Sequence, residues 1–117
     1  MKFKLIVVMT QDELTDKAIE AARSKGATGS TVISSARGEG LTQKKTFMGL
    51  NLTAQRDMVL FLVEEHHSRE ILEHIADECG FETEHGAGVA FMIDIEDAVG
   101  LTAQIRSIQQ DISKEDL

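Results

Sequence analysis

Six consecutive apolar residues, Met58-Val59-Leu60-Phe61-Leu62-Val63, constrain this chain more than any other feature. The run is short and rich in β-formers, so Met58 to Glu64 reads as a strand. Successive side chains of a strand point to opposite faces. Met58, Leu60 and Leu62 therefore face one way, and Val59, Phe61 and Val63 the other. Phe3 to Met9 behaves alike in its middle, with Leu5 and Val7 opposed to Ile6 and Val8. A sheet with one wet face alternates apolar with polar residues, and these strands do not. Both faces of the sheet have to be covered.

The remaining elements supply cover for one face. After the strand Phe3 to Met9, Thr10 and Glu13 have capping-box spacing. Leu14, Ala18, Ile19 and Ala22 then recur at helical intervals up to Gly26. Ser30 to Ala36 reads as a second strand, and Met58 to Glu64 is the third. Ser68 is placed to cap a second helix with the stripe Ile71, Leu72, Ile75, Ala76 and Cys79, stopped by Gly80. Val89 to Ile95 is a fourth strand, and Leu101, Ile105, Ile108 and Ile112 mark a final helix. Two β-α-β units of similar length predict an α+β, ferredoxin-like domain over residues 1–117, with both helices on one face of an antiparallel sheet. A homo-oligomer packing sheet on sheet covers the second face; the alternative is the C-terminal helix folded over it.

Composition excludes several classes. The 117 residues hold 12 Lys+Arg and 20 Asp+Glu, a net charge of -8. The largest basic cluster is the pair Lys44-Lys45, a poor basis for binding nucleic acid, whose affinity rests on neutralised phosphates. No apolar run approaches the roughly 20 residues that span a bilayer. The apolar stretch after Lys4 is too short for a secretory signal. With a single Cys no internal disulfide forms, which points to the cytosol. Tyr is absent, so no tyrosine-based modification operates.

Residues 37–57 carry no convincing period, and loops beyond about 12–15 residues are usually functional or disordered. Gly38 and Gly40 make the near half, Arg37 to Lys45, a flexible segment. Phe47, Met48, Leu50 and Leu52 make the far half either a docking tip or a short hairpin. Two Gly-x-Gly loops stand at strand ends: Gly38-Glu39-Gly40, followed by Gln43, Lys44 and Lys45, and Gly86-Ala87-Gly88. Such loops let backbone amides converge on an anion, and basic side chains nearby pair phosphate oxygens. His66, His67, His74 and His85 invite a metal reading, but no His-x-x-x-His pair or companion Cys has ligand spacing; they read as solvated residues around a turn. Cys79 reads as core. No nucleophile has a base at a recognisable spacing.

The sequence resembles the P-II nitrogen-regulatory signal proteins, in a divergent, P-II-like branch. The resemblance is carried by Gly26-Ala27-Thr28-Gly29-Ser30-Thr31-Val32, by Gly86-Ala87-Gly88, and by Asp94-Ile95-Glu96-Asp97-Ala98-Val99, in order over about residues 3–101. It implies a homotrimer that binds an adenine nucleotide (ADP, AMP or ATP) in clefts between subunits. It also implies no enzymatic activity and no metal cofactor. The ligand state would shape the long loop, here 37–57 and called the T-loop. That loop would regulate a transporter, channel or enzyme of nitrogen or inorganic-carbon metabolism, from the cytoplasm or recruited to a membrane partner. The implied nucleotide site comprises Arg37, Gly38, Gly40, Gln43, Lys44, Lys45, Glu64, Gly86, Ala87, Gly88, Val89 and Arg106; Phe47, Met48 and Leu50 are the expected partner anchors. The chain departs from the family where phosphates are gripped. Val89 replaces the usual lysine, and Gly100-Leu101-Thr102-Ala103 lacks the usual two arginines. A metal-responsive trimer of the same general fold, using His66, His67 or His85, is the alternative. An acyl-phosphate hydrolase, with Arg37 and Asn51, ranks last.

Overall fold

The computed structural model describes residues 2–34 and 56–100, together with the backbone of residues 46–47 and 50–51. In chain order these form β1 (Phe3–Gln11), α1 (Thr15–Ser24), β2 (Thr31–Ser34), β3 (Thr46–Phe47), β4 (Leu50–Asn51), β5 (Arg56–Glu64), α2 (Glu65–Cys79) and β6 (Gly88–Asp94). The four longer strands make one antiparallel sheet in the order β2-β5-β1-β6. That order, with α1 and α2 on one face, is the expected ferredoxin-like arrangement. β3 and β4 pair as a separate hairpin through Thr46 with Asn51 and Phe47 with Leu50, so the backbone there takes the hairpin alternative. The expected final helix, from Leu101 onward, lies outside the described residues.

The core lies between the helices and one sheet face. Ile6 and Val8 of β1, Val59, Phe61 and Val63 of β5, Ala18, Ala21 and Ala22 of α1, and Ile71, Ile75 and Cys79 of α2 are all buried there. Alanines on α1 let that helix approach closely. Phe61 is the largest fully buried side chain among the described residues. Burying such a side chain contributes about 1.5–3 kcal/mol.

Among the described residues the opposite face carries no helix. Paired residues of neighbouring strands share a face, so the register places Ile33, Met58, Met9 and Val89 in one row. Thr31, Leu60, Val7 and Phe91 form the next, and Leu62, Leu5 and Ile93 the third. Ten of these eleven side chains are apolar; Ile33 is 50% and Ile93 48% exposed. The two-faced strands thus bury one face under the helices, while on the other Val7 is buried at 7% exposure, its neighbours are half-buried, and Ile33 and Ile93 are exposed at the margins.

Three expected boundaries are corrected. Thr10 does not cap a helix. β1 runs on to Gln11, and the Thr10 hydroxyl donates to the Ala87 carbonyl at 3.0 Å. Ser68 lies inside α2, its hydroxyl donating to the Glu65 carbonyl at 2.7 Å. The N-cap is Glu64, whose carboxylate accepts from the His66 N–H at 2.8 Å. β5 starts two residues earlier than expected, at Arg56.

Candidate functional site

One end of the sheet gathers most of the buried polarity. Of the five buried polar or charged residues among those described, Thr10, Thr15, Arg56 and Asp57 lie there; Ser68 does not. The register brings the end of β1 (Thr10, Gln11) against the start of β5 (Asp57, Arg56). It also sets Thr10 beside Gly88 at the start of β6, and Ser34 at the end of β2 beside Asp57. β2 leads into the 37–57 segment and β5 receives it, so the long loop is rooted at this end.

The glycine loop preceding β6 is stitched to the same place. The Gly86 carbonyl accepts from Arg56 Nη1 at 2.6 Å and from Gln11 Nε2 at 3.2 Å. The Ala87 carbonyl accepts from the Thr10 hydroxyl and, at 3.3 Å, from the Gln11 N–H. Gly86 has φ +79°, a conformation costly for a side-chain-bearing residue. A peptide N–H points opposite its C=O. With the Ala87 carbonyl held against β1, the Gly88 N–H therefore faces the outer side of β6. Among the described residues β6 is an edge strand, so that donor points away from the sheet, the polarity an anion cradle needs.

Beneath the loop, the Thr15 hydroxyl at the start of α1 donates to Asp57 Oδ2 at 2.6 Å. Each buried side-chain polar atom among the described residues has a hydrogen-bond partner. A satisfied buried network of this kind makes a rigid floor.

Of the expected nucleotide residues, Gly86, Ala87 and Gly88 lie in this cluster. Val89 follows them, paired with Met9 on the face away from α1 and α2. Glu64 stands at the far end of β5, eight strand steps or roughly 26 Å from Arg56. There it accepts from the His66 N–H, and its other oxygen meets His66 Nδ1 at 2.5 Å. The hydrogen bond to His66 holds the Glu64 carboxyl below its ordinary value, and the same contact raises His66. Arg37, Gly38, Gly40, Gln43, Lys44, Lys45, Met48 and Arg106 lie outside the described residues, as do the side chains of Phe47 and Leu50. Among the described residues no group of three His, Cys, Asp or Glu is placed to hold a metal, and no helix is long and apolar enough to cross a membrane. Sequence reasoning misses Arg56, Asp57, Thr10, Gln11 and Thr15. Their one signal is the polar pair Arg56-Asp57 set directly before six apolar residues.

The sequence matches the family described as Nitrogen regulatory protein P-II over residues 3–104. The chain belongs to that family. Among curated proteins none matches it. Solved P-II-like structures share its fold. A PII-like signalling protein from Thermus thermophilus is 24% identical, covering 81% of this chain and 88% of its own, with a TM-score of 0.58. CPII from Thiomonas intermedia, bound to ADP, AMP and acetate, is 20% identical, covering 86% and 92%, with a TM-score of 0.62. The same CPII has also been solved bound to ADP, AMP and bicarbonate, at 21% identity over 81% of this chain and 87% of its own, TM-score 0.59. In this chain the strand ends that flank the 37–57 segment, at Ser34 and Arg56, and the turn that leads into Gly88 share one end of the sheet.

Proposed function

We propose that this P-II family chain is a non-enzymatic, cytoplasmic signalling protein. It binds an adenine nucleotide between the subunits of a homotrimer and regulates a partner through its 37–57 loop. The observation that carries this reading is the convergence just described. The root of the long loop and the glycine turn meet on one buried polar floor, so a ligand at the turn lies beside the segment that would signal. The ADP and AMP bound by CPII support the class of ligand. The trimer is supported by the sheet face away from α1 and α2, whose apolar rows are only partly covered among the described residues. Glu64, remote from the turn within its own chain, would serve such a site only from a neighbouring subunit.

The phosphate grip is weaker than is usual for the resemblance. Val89 brings no charge, and no arginine precedes Arg106 after Val99. Arg37, Gln43, Lys44, Lys45 and Arg106 are the side chains left to meet phosphate, with the backbone of Gly38, Gly40 and Gly86 to Val89. Phe47, Met48 and Leu50 would anchor the partner, a transporter, channel or enzyme of nitrogen or inorganic-carbon metabolism. The bicarbonate bound to CPII favours the carbon side.

A thermal-shift screen tests the reading. AMP, ADP and ATP, each with and without bicarbonate, should raise the melting temperature. Stabilisation by divalent cations with no nucleotide effect would favour the metal-responsive alternative instead.

A further inference from the structure

We propose that Arg56 is a positioning residue that sets the orientation of the Gly86 peptide and ties the glycine turn to the root of the long loop. The proposal rests on the reading that the turn holds nucleotide phosphate. Three observations carry it. Arg56 is 5% exposed, although it is a cation at the end of a strand. Burying a charge is costly unless it is hydrogen-bonded. Its Nη1 lies 2.6 Å from the Gly86 carbonyl, a short, charge-assisted bond. Finally, Arg56 is the first residue of β5, where that strand takes over from the 37–57 segment.

The consequence is mechanical. Gly86, at φ +79°, has no side chain to bias which way its peptide faces. Arg56 and Gln11 supply that bias by drawing the carbonyl inward. Thr10 and the Gln11 N–H do the same for Ala87, which leaves the Gly88 N–H outward. A shift of the loop's C-terminal root carries the Arg56 backbone with it and loosens the turn. By linkage, a partner that binds the loop and displaces Arg56 alters nucleotide affinity by the factor with which nucleotide alters partner affinity. Arg56 thus acts on the ligand through the turn, not by pairing a phosphate.

That distinction makes the test. Amide exchange is followed in the ligand-free protein for wild type, R56K and R56Q, and each is titrated with AMP, ADP and ATP. R56Q should accelerate exchange at residues 84–89 by about tenfold, the loss of one hydrogen bond to a charged group, with α2 unchanged. R56K, which keeps a charge but not the fork, should fall between. Nucleotide affinity should drop by one common factor for AMP, ADP and ATP. Unchanged exchange at 84–89 in R56Q overturns the proposal. So does an affinity loss that grows with each added phosphate, since that marks direct contact. Should R56Q fail to fold, R56K decides by the same two readouts. If wild type binds no nucleotide, the reading of the site fails, and the exchange comparison still decides the role of Arg56.

Discussion

A Cβ placed on Gly88 would stand 2.6 Å from the backbone oxygen of Met9 and 2.6 Å from Cε1 of Phe81. The close approach lets the glycine turn run flush against β1, where Thr10 and Gln11 reach its carbonyls. Gly88→Ala should therefore push β6 off β1 at its start and cost about 1–3 kcal/mol, the usual range for overpacking. Urea denaturation measures it. Gly29→Ala is the control: nothing lies within 4 Å of that Cβ, so its midpoint should stay near wild type.

The Thr15–Asp57 hydrogen bond joins the start of α1 to β5 beneath the turn. Thr15→Val keeps the shape and removes the donor from a buried carboxylate. The expected cost is about 1–3 kcal/mol. Thr15→Ser should restore most of it. A Thr15→Val midpoint equal to wild type would show that Asp57 is not held by this bond.

Glu64 and His66 make the protein's stability depend on pH. His66 is raised from 6.5 by its hydrogen bond to Glu64, and Glu64 is lowered from 4.5 by the same contact. The His66 contribution is complete below pH 6.5 and lost as pH rises through its folded value. The Glu64 contribution is present above pH 4.5 and lost as pH falls through its folded value. Both therefore operate between pH 4.5 and 6.5. Nuclear magnetic resonance titration of His66 should show its midpoint fall in Glu64→Gln; an unmoved midpoint refutes the pairing.

Cys79 is buried among α2 and sheet residues, and that burial raises its thiol. The thiolate is the reactive form. Labelling by a disulfide reagent at about pH 8, near the ordinary thiol value, should therefore be slow in native protein and prompt in denaturant. Prompt native labelling would mean that the packing of α2 opens readily.

The sheet and both described helices are legible in the sequence because their signals are local. Val59, Phe61 and Val63 alternate within one strand, and Ile71, Ile75 and Cys79 recur at helical spacing. The second apolar face is legible for the same reason, in Met58, Leu60 and Leu62. The floor of the site is not, because its partners are distant in sequence. Thr10 has the spacing of a cap, yet its hydroxyl bonds a carbonyl 77 residues away. Arg56 serves the Gly86 carbonyl 30 residues on, and no side-chain pattern marks a backbone acceptor. The cap of α2 escapes sequence reading because Glu64 closes the strand and caps the helix at once.

Adenine nucleotide binding with a reduced grip on the last phosphate is the property on which the proposed role of this P-II family chain depends. It is open to titration calorimetry on protein shown by light scattering to have three times the 12.9 kDa chain mass. Saturable binding of ADP at one site per chain is expected, with ATP within about tenfold, a gap under about 1.4 kcal/mol. Binding of none of AMP, ADP and ATP, by protein that is otherwise folded and assembled, would refute the proposed role.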